Sequence, residues 1–308
     1  MPSGTPARKI KCARFYQEWK GHPIEDLELL RDKTLAQRPD TPIVYLAGDS
    51  SLDNKAWVPS SGPGGEPLPV AAPEIYHQTL DKVRPKPDVA FWLNHLLGSR
   101  ATCINTSVEE SMLRERDTKL LPHDEFIREN LREEDFLIVS VGANDVAMRP
   151  TASTMWHMLR LAWFTRRTSL ENGSAGSLRY FRHLFGTKIE DYVTRTCAKT
   201  KPKAVIICMI YFPLEAGAGY QQSWAEWQLK VLGYNSWPRQ LQAAIRSMYE
   251  TATCKIAIEG TIVIPCAVYE CMDGKTVGDY VARVEPSIEG GRKMAEQFVG
   301  LLDDTLQR

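Results

Sequence analysis

The stretch Ile43-Val-Tyr-Leu-Ala-Gly-Asp-Ser-Ser-Leu-Asp-Asn54 decides the fold. Its apolar first half is followed at once by glycine and then by short polar residues. A continuous apolar run of this length is typical of a strand buried on both faces, and the small polar residues after it indicate a turn into a helix. The stretch therefore predicts a parallel strand that places a polar turn at one edge of a sheet.

The same rhythm of short apolar runs and helical lengths continues along the chain. The predicted strands are Ile43–Ala47, Ala101–Asn105, Phe136–Val141, Ala204–Ile210 and Thr261–Pro265. The predicted helices are Asp88–Leu97, His123–Leu131, Ala152–Phe164, Leu178–Cys197, Pro238–Ala252 and Ser287–Thr305. Strands that alternate with helices favour a parallel sheet covered on both faces. We expect an α/β fold, a three-layer α/β/α sandwich around a five-stranded parallel sheet.

The remaining segments divide the chain. Residues 1–40 are polar and mixed, with a helical stretch over Pro23–Leu35, and we interpret them as an N-terminal extension packed on the outside of a domain at 41–308. Two connections are longer than a crossover needs: 59–87, too rich in proline for a helix, and 213–237, rich in Gly, Gln and Trp. Long connections of this kind are commonly binding loops or lids.

Composition excludes several classes of protein. The 308 residues carry 38 basic and 38 acidic side chains, so the chain lacks the excess of cations that phosphate binding needs, and we expect no nucleic-acid partner. Its longest uncharged apolar run, 204–214, is shorter than the about 20 residues of a membrane-spanning helix. The N-terminus lacks the apolar segment of a secretory signal, which favours a cytoplasmic protein. The seven scattered cysteines favour reduced thiols, no metal-ligand pattern accompanies them, and no cofactor is implied.

Polar residues directly after the strands are the candidates for chemistry, because ligands bind outside the carboxyl ends of parallel strands. Gly48-Asp49-Ser50 follows the first predicted strand, and Gly142-Ala143-Asn144-Asp145 follows the third. At a strand-to-helix turn, the Ser50 hydroxyl would project over the sheet edge, close to backbone N–H groups that could stabilise an oxyanion. Asn144 could add a side-chain N–H to the same site.

These two motifs, in this order and strand context, resemble the GDSL, or SGNH, hydrolase superfamily. That family has a flavodoxin-like α/β fold and includes esterases, lipases and carbohydrate deacetylases; the resemblance spans about residues 41 to 306. It implies that Ser50 is a nucleophile and that its own N–H and Asn144 form an oxyanion hole. A family glycine that donates its backbone N–H to this hole aligns with Ser107.

The catalytic base departs from the family pattern. The family's Asp-x-x-His before a proline is here Ala282-Arg283-Val284-Glu285, which places Glu285 where the histidine would stand. A carboxylate with a pKa of about 4.3 is a weaker base than an imidazole at about 6.5. Burial would raise the pKa of Glu285 and make it a usable base, whereas Arg283 nearby would lower it. The sequence leaves both outcomes open.

Other side chains are candidates for supporting roles. His77, in the insertion 59–87, and His157 are alternative bases on the carboxyl side of the sheet. Asp53 and Asn54 are expected to stabilise the first helix turn or to line the substrate pocket. Trp224 and Trp227 suggest an apolar lid or a carbohydrate platform in the second insertion.

The stretch from Met155 to Arg167 mixes aromatic and basic residues. Two interpretations stay open for it: a helix that forms a wall of an acyl pocket, which we favour, or a basic amphipathic surface for weak peripheral contact with lipid.

The leading functional hypothesis is a serine hydrolase of the esterase, lipase or deacetylase type, with a small-molecule ester or acylated substrate. The same residues would transfer an acyl group to an alcohol if the pocket excluded water. The rival hypothesis is a catalytically impaired protein of this fold that binds an acyl, ester or glycan ligand, since the histidine and aspartate are both missing. A nucleotide-binding protein is disfavoured, because no glycine-rich phosphate loop follows the first strand. The oligomeric state is left open.

Overall fold

A parallel sheet forms the centre of the computed structural model, which describes residues 8–148, 152–160, 164–171, 173–176 and 178–306. The sheet strands are β1 (Ile43–Gly48), β2 (Thr102–Asn105), β3 (Phe136–Ser140), β4 (Ala204–Met209) and β5 (Ile262–Ala267). All neighbouring pairs are parallel, in the order β2-β1-β3-β4-β5. This is the order of a flavodoxin-like doubly wound sheet, so the predicted fold class is confirmed.

Helices cover both faces of this sheet. They are α1 (Cys12–Gln17), α2 (Ile24–Gln37), α3 (Glu74–Thr79), α4 (Val89–Leu97), α5 (Pro122–Asn130), α6 (Ala143–Ala147), α7 (Ala152–Leu159), α8 (Arg167–Glu171), α9 (Leu178–Arg182), α10 (Ile189–Thr196), α11 (Glu226–Val231), α12 (Pro238–Thr251) and α13 (Ile288–Leu306). The chain crosses from β1 to β2 in one direction and from β2 onward in the other. Right-handed crossovers therefore place α4 and α5 on opposite faces, and α13 packs beside α4.

The apolar runs that predicted the strands form the core. Every residue of β1 through β4 is buried, which explains why these strands appear in the sequence as uninterrupted apolar runs. In β5, Ile262 is half exposed at the sheet edge. The strand order reverses on either side of β1, and the crevice above β1 and β3 is where such folds bind ligands.

Two helix predictions need correction, and a third is described only in part. The insertion 59–87 contains a short helix, α3, because its prolines flank residues 74–79 instead of interrupting them. The single helix predicted over Leu178–Cys197 is divided by a π-helical turn at His183–Lys188, where Gly186 packs against Ala252. Of the helix predicted over Ala152–Phe164, the structure has α7, and residues 161–163 lie outside the described residues.

The N-terminal residues are bound to the insertion that follows β1. The Ile10 backbone pairs with Leu80, donating to the Thr79 carbonyl and accepting from Asp81 N. The Ile10 and Leu27 side chains join the main hydrophobic core. The N-terminal segment therefore contributes to the same core as the sheet.

A two-stranded hairpin precedes the last helix. It pairs β6 (Tyr280–Val281) with β7 (Glu285–Pro286) in antiparallel register. Ala282 and Arg283 turn the chain with left-handed backbone angles, φ 49° and φ 65°, a conformation that is unfavourable for residues other than glycine. This turn needs support from outside the hairpin, and its contacts bear directly on Glu285.

Candidate active site

Ser50 lies in the turn directly after β1. Gly48 ends the strand so close to β3 that a Cβ at this position would lie 2.4 Å from the Ser140 carbonyl oxygen. Glycine is therefore required here, because it lets the turn after β1 lie close to the backbone of β3. The Ser50 side chain lines a cavity while 8% of the residue's surface stays exposed.

Asp49 fixes the conformation of this turn. Its Oδ1 accepts hydrogen bonds from the Ser51 backbone N–H at 3.1 Å and the Ser51 hydroxyl at 2.8 Å. The Ser51 hydroxyl also contacts the Ser140 hydroxyl at 2.7 Å. Burial raises the pKa of Asp49 to about 6, although the bonds from Ser51 oppose the rise. Within the described residues, the Ser50 N–H has no partner, so it is available to a ligand.

Asn144 lies beside Ser50, at the start of α6. The helix begins after Gly142, whose left-handed φ of 102° turns the chain against the Phe185 ring. One N–H of the Asn144 amide donates to the Ser111 carbonyl at 3.0 Å, and the side chain lines the same cavity as Ser50. This bond fixes the amide and leaves its second N–H for a bound oxygen. Asp145 instead accepts backbone N–H groups at the 3₁₀ turn that begins at Leu113, which makes it structural.

Glu285 faces the same cavity from the hairpin. It is 2% exposed, and its Oε1 accepts a hydrogen bond from the Trp224 indole N–H at 3.0 Å. Burial raises the pKa of Glu285 to about 7; the nearby Ser50 hydroxyl and the hydrogen bond from Trp224 oppose the rise, and the Asp49 carboxylate adds to it. Oε2 has no hydrogen bond of regular geometry within the described residues, so the approach of the Ser50 hydroxyl stops short of one.

The sequence left open whether Arg283 would lower the pKa of Glu285. In the structure, Arg283 does not act on this carboxyl. Its guanidinium donates to the Leu214 carbonyl from Nε and Nη2, at 3.1 and 3.0 Å, and Nη1 pairs with Glu226 at 2.7 Å. The arginine thereby supports the left-handed turn and leaves Glu285 in an environment dominated by burial.

The cavity between Ser50 and Glu285 is mostly apolar and measures about 120 Å³. Its walls come from α6, the end of β4, α11 and α12, and they include Val146, Ile210, Leu229, Leu232, Leu241 and Ile245. Asp49 and Glu285 are its only charged lining residues within the described part of the chain. The shape and chemistry suit an uncharged, apolar group.

Ser107 is buried, but its predicted contribution to the oxyanion hole conflicts with its contacts. The backbone N–H of Ser107 donates to Asn105 Oδ1 at 3.0 Å, so it is already in use.

Asp53 and Asn54 hold the fold together and do not line the cavity. Asp53 is fully buried and pairs with Lys55, whose Nζ lies 2.7 Å from both carboxylate oxygens. Asn54 donates to the Pro286 carbonyl at 3.1 Å and accepts from Val89 N at 3.0 Å. Asp53 and Asn54 were expected to stabilise a helix turn or to line the pocket. In the structure, their side chains instead connect segments that are distant in sequence.

The two alternative bases do not line the cavity. His77 is exposed on α3, and the His157 ring stacks on Tyr180 with centroids 4.8 Å apart. Trp227 is 53% exposed and also lies outside the cavity wall, unlike Trp224. The described part of 155–167 contributes no residue to the lining of this cavity, and residues 161–163 of that stretch lie outside the described residues.

Glu109 is a feature that the sequence did not reveal. It is 2% exposed, accepts from the Trp57 indole N–H at 3.1 Å and leaves Oε2 unpaired within the described residues. Burial raises its pKa to about 9, and the carboxylates of Glu285 and Asp53 add to the rise. In the sequence, the adjacent Glu109 and Glu110 suggest an exposed loop. Their place after the second strand was the only signal that Glu109 could lie near the site.

The described residues lack two features that would point to other classes of protein. They contain no group of three or more His, Cys, Asp or Glu side chains that could hold a metal ion. Among them, no helix combines the length and apolarity needed to cross a membrane. All seven cysteines are described, and each is a free thiol.

Comparison with known proteins gives a likeness of fold at low identity. No protein-family model matches the chain, and no curated protein matches it. An extracellular lipase from Streptomyces rimosus is 10% identical with a TM-score of 0.42, over 86% of this chain and 99% of that one. An aryl esterase from M. smegmatis is 14% identical with a TM-score of 0.42, over 85% and 100%. A family 3 carbohydrate esterase from Clostridium thermocellum is 11% identical with a TM-score of 0.39, over 87% and 98%. The likeness is one of fold, and activity depends on the residues around Ser50.

Proposed function

We propose that the protein is a serine hydrolase of carboxylic esters, with Ser50 as nucleophile and Glu285 as base. One observation supports this above the others: a buried carboxyl with a pKa of about 7 faces the same cavity as Ser50, with one oxygen unpaired within the described residues. A general base works best when its pKa lies near the operating pH. Burial gives this glutamate the proton affinity that an imidazole has without burial.

The reaction follows in two balanced steps. Ser50 Oγ attacks the ester carbonyl carbon while its proton passes to Glu285, and the tetrahedral intermediate then expels the alcohol, which takes that proton. Water next attacks the acyl group on Ser50, again giving a proton to Glu285, and the acid leaves as Ser50 recovers its proton. The oxyanion of each intermediate would be stabilised by the N–H of Ser50 and by the free N–H of Asn144.

The cavity defines which part of the substrate lies beside Ser50. An apolar cavity of about 150 Å³ is large enough for benzene, and the space here is about 120 Å³. The proposed substrate is therefore an ester whose acyl group is apolar and of about this size. A cavity lined in this way also disfavours the glycan ligand of the rival hypothesis.

Labelling with a fluorophosphonate, followed by peptide mapping, tests the proposal without a guess about the alcohol. We expect a single adduct on Ser50, lost in Ser50→Ala and retained in Ser99→Ala, an exposed serine before β2. A folded protein that forms no adduct between about pH 5 and pH 9 would contradict the proposal and favour a ligand-binding protein. If Ser50 is labelled, measuring the products of an ester with and without added alcohol would separate hydrolysis from acyl transfer.

A further inference from the structure

Trp224 joins the base to a different part of the chain. It belongs to the insertion 213–237, whereas Glu285 belongs to the hairpin, and the two meet through the 3.0 Å bond from indole Nε1 to Oε1. We infer that Trp224 is the positioning residue of Glu285: its indole N–H holds one carboxylate oxygen and leaves the other toward Ser50. The catalytic consequence of this inference rests on the proposed function, whereas the positioning itself does not.

The chemistry of an indole suits this task. The terminal torsion of a glutamate is broad, so the carboxylate needs a partner to fix its plane. An indole N–H donates and cannot accept, and it carries no charge. A lysine or arginine in its place would hold the carboxylate as an ion pair and lower its pKa, which would weaken it as a base. A neutral donor orients the carboxylate and preserves most of the effect of burial.

The insertion is also fastened to the turn that carries the base. The Arg283 backbone N–H donates to Gln221 Oε1 at 2.8 Å, and the guanidinium binds the Leu214 carbonyl and Glu226. These partners precede and follow Trp224 in the chain, so they hold this part of the insertion against the hairpin. The orientation of Glu285 therefore depends on how the insertion 213–237 packs against the hairpin.

The other groups around Glu285 cannot replace this bond. The Asp49 carboxylate acts on Glu285 as an acidic neighbour and disfavours its charge, and the charge of Glu285 in turn disfavours ionisation of Glu109. The Tyr211 hydroxyl lines the same cavity, but it donates to the Val284 carbonyl at 2.6 Å. Among the described side chains, Trp224 alone donates to Glu285 with regular hydrogen-bond geometry. Its removal should therefore make the carboxylate harder to form.

Trp224→Phe removes the N–H and keeps an aromatic ring in the cavity wall, and Trp227→Phe is the matched control from the same insertion. Infrared difference spectra against Glu285→Gln would follow the carboxyl band of Glu285 through a pH titration. We expect Trp224→Phe to shift the Glu285 titration upward by about one pH unit, as expected for the loss of a hydrogen bond to a charged group. Trp227→Phe should leave it unchanged. An unchanged titration in Trp224→Phe, or an equal shift in both variants, would overturn the inference.

The rate of fluorophosphonate labelling supplies the functional readout. In Trp224→Phe, labelling of Ser50 should slow at every pH because the base is no longer oriented, and it should slow most at about pH 6, where less of the base is deprotonated. A general disturbance of the site would instead lower the rate equally at every pH, and that result would count against positioning. If wild-type Ser50 fails to label, the proposed function falls, while the infrared titration still decides whether Trp224 positions Glu285.

Discussion

Lys55 and Asp53 form an ion pair from which solvent is excluded, with Nζ 2.7 Å from both carboxylate oxygens and each side chain at most 1% exposed. Asp53 also accepts the backbone N–H groups of Gly21 and Glu109, each at 3.0 Å. The pair thus binds the N-terminal segment and the loop after β2 to the turn that follows Ser50.

Removing one partner of this pair should be costly. Lys55→Met would leave the Asp53 carboxylate buried without its cation, and we expect a loss of about 3–5 kcal/mol in the free energy of unfolding. Urea denaturation measures it. Arg100→Met is the control, because Arg100 and Asp303 form an ion pair at the surface, where such pairs contribute about 1 kcal/mol or less. Equal losses in the two variants would show that burial does not govern the effect.

The reactivity of Ser50 should depend on the charge of Glu285. The base acts only when deprotonated, so the labelling rate should rise with pH around a midpoint of about 7. In Glu285→Gln the rate should fall by about 10²–10⁴-fold and lose this dependence. Labelling reactions quenched at a series of times and measured by intact mass give both the rate and its pH midpoint. A wild-type midpoint near the ordinary pKa of a glutamate would argue that Glu285 is not the base.

Glu109 should make the protein less stable as the pH rises. Its pKa is raised to about 9 in the folded state, so the folded protein binds this proton more tightly than the unfolded chain does. The stability that results is complete below the ordinary glutamate pKa and is lost as pH increases toward about 9, at up to about 1.4 kcal/mol per pH unit.

Glu109→Gln tests this dependence, because the amide keeps the shape and cannot ionise. The melting temperature of wild type should fall between about pH 5 and pH 9, and the variant should lose part of that slope. Glu134→Gln, on an exposed side chain, is the control and should keep the wild-type slope. A variant slope equal to that of wild type would show that Glu109 ionises normally in the folded protein.

Filling the cavity should shorten the acyl groups that the protein accepts. Ala147 lines the cavity from α6, so Ala147→Phe would occupy space beside Ser50. We expect kcat/KM for a hexanoyl ester to fall more than tenfold relative to an acetyl ester, about 1.4 kcal/mol in the transition state. Ala198→Phe, at an exposed position after α10, is the matched control. A uniform loss on both esters would mean that the acyl group binds elsewhere.

The close approach of β1 and β3 predicts the effect of adding a methyl group to Gly48. In Gly48→Ala the new Cβ would meet the Ser140 carbonyl, and overpacking of this kind costs about 1–3 kcal/mol. Gly278→Ala serves for comparison, because nothing lies within 4 Å of its added Cβ. Thermal unfolding should separate the two variants. A stable Gly48→Ala protein would mean that the strands separate easily at this edge.

The sheet could be predicted from the sequence because its strands are buried on both faces. Residues such as Val44 and Ile206 have no solvent-facing neighbours in their strands, so each strand appears as an apolar run. The edge strand β5 was predicted about one residue early at its start, where exposure weakens the pattern. The π-helical turn depends on the contact of Gly186 with a distant helix end, and no local pattern indicates that contact.

The candidate site was predictable where its residues directly follow strands. Ser50 and Asn144 follow strands, Glu285 was placed by the family pattern, and all three line one cavity, whereas the side-chain bond that occupies the Ser107 N–H depends on the rotamer of Asn105. The bond between Trp224 and Glu285 spans 61 positions in sequence, so only the folded chain brings the two together.

The left-handed turn at Ala282 and Arg283 connects selectivity with proton affinity. The residues that fasten the turn and hold the base lie within one continuous stretch, 210–245, which also contributes Ile210, Leu229 and Ile245 to the cavity wall. A chimera that exchanged this stretch would change the acyl preference and the pH optimum together, with α6 left as the constant part of the cavity wall. The sheet loops with Ser50 and Asn144 would stay unchanged, so the fold separates a constant nucleophile from a replaceable module.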